Sequence, residues 1–86
     1  MRLLDRITAI LEAVAGSPDP LPPATVARAL KLPLPTISRL MRELAGQRYL
    51  HLEERSNGYS LGSRPLAWGY AARPARLMTT IVPEME

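Results

Sequence analysis

Arg39 and Arg42 stand three residues apart, beside Thr36 and Ser38, and this group is the part of the chain best equipped for chemistry. A guanidinium presents a fixed fork of donors that fits a phosphate or the O6/N7 edge of guanine, and hydroxyls add further contacts to phosphate or base edges. Such a set recognises a polyanion and makes no bonds. Nucleophilic catalysis needs an activated side chain with a base beside it. The chain has no cysteine, and its single histidine, His51, has no acid–nucleophile constellation around it in sequence. Disulfides and thiolate zinc ligands are likewise excluded, and one histidine builds no metal site by itself. No cofactor is implied.

The element that must position the arginines is a helix. Ile37, Leu40, Met41 and Leu44 fall at i, i+3, i+4 and i+7, one apolar stripe. At about 100° per residue, turning that stripe inward puts Pro35, Arg39 and Arg42 on the opposite side, with Ser38 at its flank. Pro35 suits a first helical turn, so the helix is expected over residues 35–47.

Two helices precede it. Leu3, Leu4, Ile7, Ile10, Leu11 and Val14 mark an amphipathic helix running to about Ala15, with Gly16 placed to end it and Ser17-Pro18-Asp19-Pro20 as a turn cluster. Pro22 and Pro23 suit a loop and the first turn of a short second helix over residues 24–30, which buries Val26, Ala27 and Leu30. Lys31-Leu32-Pro33 breaks it. After residue 47 the period changes. Residues 49–53 alternate as a strand does, with Leu50 and Leu52 on one face. Residues 54–58 form a polar tip with a turn-forming Asn57-Gly58, and residues 59–61 return. Two short strands are marginal alone, so the hairpin must lean on the helices. From Pro65 the chain turns helical through Leu66, Trp68 and Tyr70, and it resumes after Pro74 with Leu77, Met78, Ile81 and Val82. The expected fold is mainly α with a small β-hairpin: a winged helix-turn-helix with a three-helix core, a wing and a C-terminal linker helix.

Eighty-six residues make one small domain with room for an appended arm. A chain of that size buries roughly 60–65% of its unfolded surface, so a partner subunit would help it. No run approaches the ~20 apolar residues of a membrane span, and the first residues lack the apolar core and cleavage site of a signal peptide. A soluble cytoplasmic protein is the simplest expectation. The net charge of +3 is unevenly spread: between Arg28 and Arg76, nine Lys or Arg stand against Glu43, Glu53 and Glu54. All basic residues but Lys31 are arginine.

In this order the chain resembles the N-terminal DNA-binding domain of the IclR family of bacterial transcriptional regulators, from about Leu3 to Ala72. Leu4-Asp5-Arg6 with Ile10-Leu11 resembles the family's opening helix, and residues 21–30 its second helix. Leu32-Pro33, Thr36-Ile37 and Arg39-Leu40 match its turn and recognition helix. Tyr49-Leu50, Gly58-Tyr59 and Leu61-Gly62 match its strands and wing, and residues 66–69 the start of its linker helix. Pro35 departs from the Ser or Thr frequent there and removes a hydroxyl. Pro22-Pro23 stiffens the approach to the second helix. The resemblance implies residues 1–63 as the DNA-binding domain and 64–86 as a linker helix region leading toward a larger effector-binding domain. That domain is expected to be absent from this chain, so any small-molecule effector acts through residues not present here.

Each candidate has a plainer reading beside the functional one. Arg39, the best candidate for reading a base, and Arg42, for base or phosphate, could instead be a solvated helix face with a weak Glu43 contact. Thr36 and Ser38 could contact phosphate or a base edge, and Thr36 equally its own backbone. Arg55, Ser56 and Asn57 form the wing tip, where Arg55 is suited to phosphate or a narrow minor groove, although an ordinary hairpin turn explains Asn57. Thr25 and Arg28 on the second helix fit phosphate contacts, or Arg28 a solvated charge. Arg64 is the strongest candidate for a backbone contact among the remaining arginines. Trp68 and Tyr70 are expected to pack a linker helix on the first helix, and the apolar residues of both suggest a homodimer. The resemblance implies that a dimer sets two recognition helices on one face of double-stranded DNA, roughly 34 Å apart. The competing classes are a winged-helix protein-interaction module without DNA binding and an RNA-binding winged helix.

Overall fold

The computed structural model describes residues 2–72. Its elements follow in the order α1 (Leu3–Ala15), α2 (Pro23–Leu30), α3 (Leu34–Gly46), β1 (Leu50–Glu53), β2 (Gly58–Leu61) and α4 (Ser63–Ala71). This is a winged helix-turn-helix, as the sequence implied. The helical resumption expected at Leu77, Met78, Ile81 and Val82 lies outside the described residues.

One apolar cluster joins all but the last element. Ile10 and Val14 come from α1, Val26 and Ala27 from α2, and Ile37, Leu40, Met41 and Leu44 from α3, while Leu50 and Tyr59 close it from the hairpin. Full burial of a large aliphatic side chain stabilises by about 1.5–3 kcal/mol, and this cluster is what fixes the angle of α3. Leu32 packs against the cluster too, which seats the turn between α2 and α3.

Neither helix starts with a side-chain cap. Proline does the work: Pro23 opens α2 and Pro35 sits in the first turn of α3, where a missing N–H breaks no helical bond. Their ends are alike as well. Lys31 and Arg48 take left-handed conformations, with φ of 59° and 67°. The next amide in each case reaches back, Leu32 to the Ala27 carbonyl at 3.0 Å and Tyr49 to that of Leu44 at 2.9 Å. These are Schellman ends carried by basic residues where glycine is usual. Gly16, by contrast, ends α1 at φ −84°, an ordinary right-handed value, so its lack of a side chain is not what stops the helix.

The hairpin pairs Leu50 with Leu61, His51 with Ser60, Leu52 with Tyr59 and Glu53 with Gly58. Asn57 supplies the left-handed residue of the turn at φ 56°, while Gly58 keeps an ordinary φ and opens β2. Gly58 is needed for another reason: a Cβ there would lie 2.9 Å from the Pro20 backbone. That close approach exists because Leu21 pairs with Tyr59, donating at 2.9 Å and accepting at 2.8 Å. The loop after α1 thus acts as a third strand segment, and this is how the wing leans on the helices.

The start of α4 is fastened to the base of the wing. The Gly62 amide donates to Tyr49 O at 2.9 Å and the Arg64 amide to Arg48 O at 3.0 Å. A side chain at Gly62 would overlap the Arg48 carbonyl. Trp68 shares a groove with Leu11 and Ala15 of α1, and its ring also lies 5.6 Å from that of Tyr49, tilted by 55°. Between α4 and α1 an apolar groove stays open, lined by Leu11, Ala15, Leu61, Pro65 and Trp68. No residue of the nine-residue α4 is buried.

Candidate nucleic-acid interface

The face of α3 opposite its core stripe is cationic and open. Ile37 and Met41 are fully buried on one side. Pro35, Arg39 and Arg42 are exposed on the other, and Thr36 and Ser38 are partly covered. Arg42 Nη2 donates to Ser38 Oγ at 3.5 Å, a long bond one helical turn back. Neither Arg39 nor Arg42 pairs with Glu43; among the described residues the single ion-pair contact is His51 Nε2–Glu53 Oε2, at 3.7 Å in a solvated position on the wing. Neither α3 guanidinium is therefore neutralised by a carboxylate, and Arg42 is engaged only through its long bond to Ser38.

The start of α3 adds to this. No side chain caps it and Pro35 carries no N–H, so the amides of Leu34 and Thr36 have no capping partner. The three-residue turn from Lys31 to Pro33 brings α2 directly before it. On α2, Arg28 is exposed in the last turn, and Thr25 is half-buried with its amide donating to Pro22 O at 3.1 Å.

The wing presents Arg55, Ser56 and Asn57, all exposed. The Ser56 amide donates to Glu53 O at 3.2 Å, which closes the turn and leaves the tip's side chains to solvent. Ser60 Oγ donates to Glu53 Oε2 at 3.3 Å, holding that carboxylate on the strand face. Arg64 sits apart from these groups at the start of α4. Its guanidinium lies over the Tyr49 ring at 5.4 Å from the centroid and donates to Tyr49 Oη at 3.5 Å. Arg64 is thus already engaged, though the residue as a whole is exposed.

Among the described residues no three His, Asp or Glu side chains gather as metal ligands, and no helix is long and apolar enough to cross a membrane. Two residues at this surface escaped the sequence reading. Lys31 is exposed in the turn itself, and its left-handed backbone gives no sign in the sequence, because glycine, the usual marker of such positions, does not stand there. Leu34 is 47% exposed at the start of α3. The repeated Leu-Pro pair at residues 32–35 was a usable signal, since one tight turn has room to bury only one of the two leucines.

The family model for the IclR helix-turn-helix domain matches residues 3–54. Among solved structures, the chain is similar to an IclR family transcriptional regulator from Brucella abortus, with 29% identity over 93% of this chain and a TM-score of 0.74. It is also similar to the Agobacterium tumefaciens repressor BlcR, with 29% identity over 79% of the chain and a TM-score of 0.68. The chain spans 31% and 27% of the length of these two proteins. No curated protein matches it in sequence.

Proposed function

This chain belongs to the IclR family through the helix-turn-helix domain at residues 3–54, and from that premise we propose that it is the sequence-specific DNA-binding module of a transcriptional regulator. It binds operator DNA as a homodimer, with α3 in the major groove. Arg39 reads a base edge and Arg42 a base or phosphate, while Thr36 and Ser38 contribute hydroxyls and Pro35 fixes the first turn. Thr25 and Arg28 on α2 set the docking register on phosphates. Arg55, with Ser56 and Asn57, touches the backbone or minor groove from the wing, and Arg64 reaches phosphate from the base of α4. Residues 64–86 lead toward an effector-binding part, and dimerisation uses α1 and α4. No catalytic role is assigned.

The observation that carries this reading is the pairing state of α3: two exposed arginines with no ion pair, on a helix whose opposite side is locked into the core. A solvated decorative face would more often neutralise its charges locally, and Glu43 stands at i+4 from Arg39, where such a pair could form. Here no carboxylate meets either fork, at the place in a helix-turn-helix where base edges are read.

A gel shift with random duplex DNA across a salt series, with competing RNA, tests the reading. Duplex binding that weakens steeply with salt is expected. Absence of duplex affinity at low salt, or preference for RNA ends and single strands, would overturn it. Selection of bound sites from a random pool should then return a palindrome whose half-sites match the dimer.

A further inference from the structure

Among the described residues, six large hydrophobic side chains are markedly exposed. Leu3, Leu4, Leu66, Trp68 and Tyr70 lie on α1 and α4. The sixth, Leu34, lies alone at the first position of α3, on the helix that carries the arginines. It is not packed against the core, whereas Leu32, two residues earlier, is. The fold therefore uses one leucine of the Leu-Pro-Leu-Pro turn and leaves the other outside. Ser38 and Arg42 follow Leu34 at i+4 and i+8, so the three form one row along the flank of the open face.

A branched apolar group at the leading end of a recognition helix has one complementary feature in the major groove. Thymine alone among the four bases presents a methyl group there, and apolar side chains contact it. The N-terminal residues of such a helix are the ones that meet base edges. We propose that Leu34 is a specificity-determining residue that packs on the C5-methyl of a thymine in each half-site, next to the base pairs reached by Ser38, Arg39 and Arg42. The inference rests on the proposed DNA binding and adds to it a chemically defined requirement. Proline at 35 favours the same outcome, because it fixes the backbone beside Leu34 and adds apolar surface where a hydroxyl would draw water.

The test is made on the duplex most enriched from the random pool. Each thymine is replaced in turn by uracil, which removes the methyl group and keeps every hydrogen-bonding edge. With the full chain, one position per half-site should lose about fourfold in affinity, the factor that burial of one methyl-sized group is worth. Leu34→Ala should bind the thymine and uracil duplexes equally at that position, and should match the unsubstituted protein on the uracil duplex to within about twofold. Because Leu34 lies outside the core, circular dichroism of the variant should be unchanged. If binding is sequence-specific but no uracil substitution separates the two proteins, the Leu34 contact is overturned while the DNA reading stands. If no duplex is bound, both fall.

Discussion

α3 and α4 both present side chains to solvent, and what they present is opposite in character. α3 has 13 residues, buries four of them and exposes two unpaired arginines, Arg39 and Arg42, along its outer side. α4 has nine, buries none, and exposes Leu66, Trp68 and Tyr70 at 61%, 55% and 70%. The first helix is fixed by the core before any partner arrives, so its polar face is preorganised and loses little freedom on binding. The second is held by Arg48 O at its first turn and by the Tyr49 ring at Trp68, and its exposed apolar side chains are solvated only at a cost. The difference teaches that exposure has two meanings within one small chain: charge on a rigid back suits a polyanion, and apolar surface on a thinly anchored helix suits another protein surface.

The comparison breaks most visibly in stability. Met41→Ala removes a fully buried side chain from the back of α3 and should cost about 2–5 kcal/mol in urea unfolding. Leu66→Ala, measured at a concentration where the chain is monomeric, should cost less than about 0.5 kcal/mol. Comparable losses would mean that α4 belongs to the core after all.

The next effect is on DNA. Arg39→Ala should cost about 1–3 kcal/mol on the selected operator and relax preference at one base pair. Equal loss on random duplexes would make Arg39 a phosphate contact. Arg55→Ala on the wing should weaken binding to all sequences alike and flatten the salt dependence by about one contact. Leu66→Ser with Trp68→Ser should do neither. It should weaken self-association by about tenfold or more in sedimentation while leaving affinity for a single half-site unchanged. A pair of serines that spoils half-site binding instead would show that α4 shapes the reading surface.

The order of elements was legible in the sequence because period 3.6 and period 2 alternate cleanly, and proline marks the helix starts. The core stripe of α3 could be read for the same reason: Ile37, Leu40, Met41 and Leu44 permit one inward face only. What stayed hidden depends on contacts between distant residues. Nothing near Leu21 announces its pairing with Tyr59, and Gly58 is explained by Pro20 rather than by the turn beside it. Trp68 was readable as a residue that packs the linker helix but not as a neighbour of Tyr49, since composition says that an aromatic packs and not on what. The candidate site was legible as a set of residue types on one helical face. Leu34 was missed because an apolar residue in an apolar stretch is ordinarily counted toward the core.

Lys31 and Arg48 offer the smallest test, and one that separates the two ends of α3. Both hold left-handed backbones that cost an ordinary residue about 1 kcal/mol relative to glycine. Lys31→Gly and Arg48→Gly should each stabilise the fold by about 0.5–1 kcal/mol. Their effects on DNA should differ. Lys31 precedes the leading end of α3, whereas Arg48 lies past its other end, roughly 20 Å away along a 13-residue helix. Arg48 is tied instead to α4, through its carbonyl and the Arg64 amide. The Lys31 variant should lose about one phosphate contact's worth of salt dependence, and the Arg48 variant none. A strained cation at residue 31 would then be retained for its charge and one at residue 48 for the geometry of the junction. Equal salt slopes for the two variants would remove that distinction, and with it the argument that the polyanion meets α3 at its first turn.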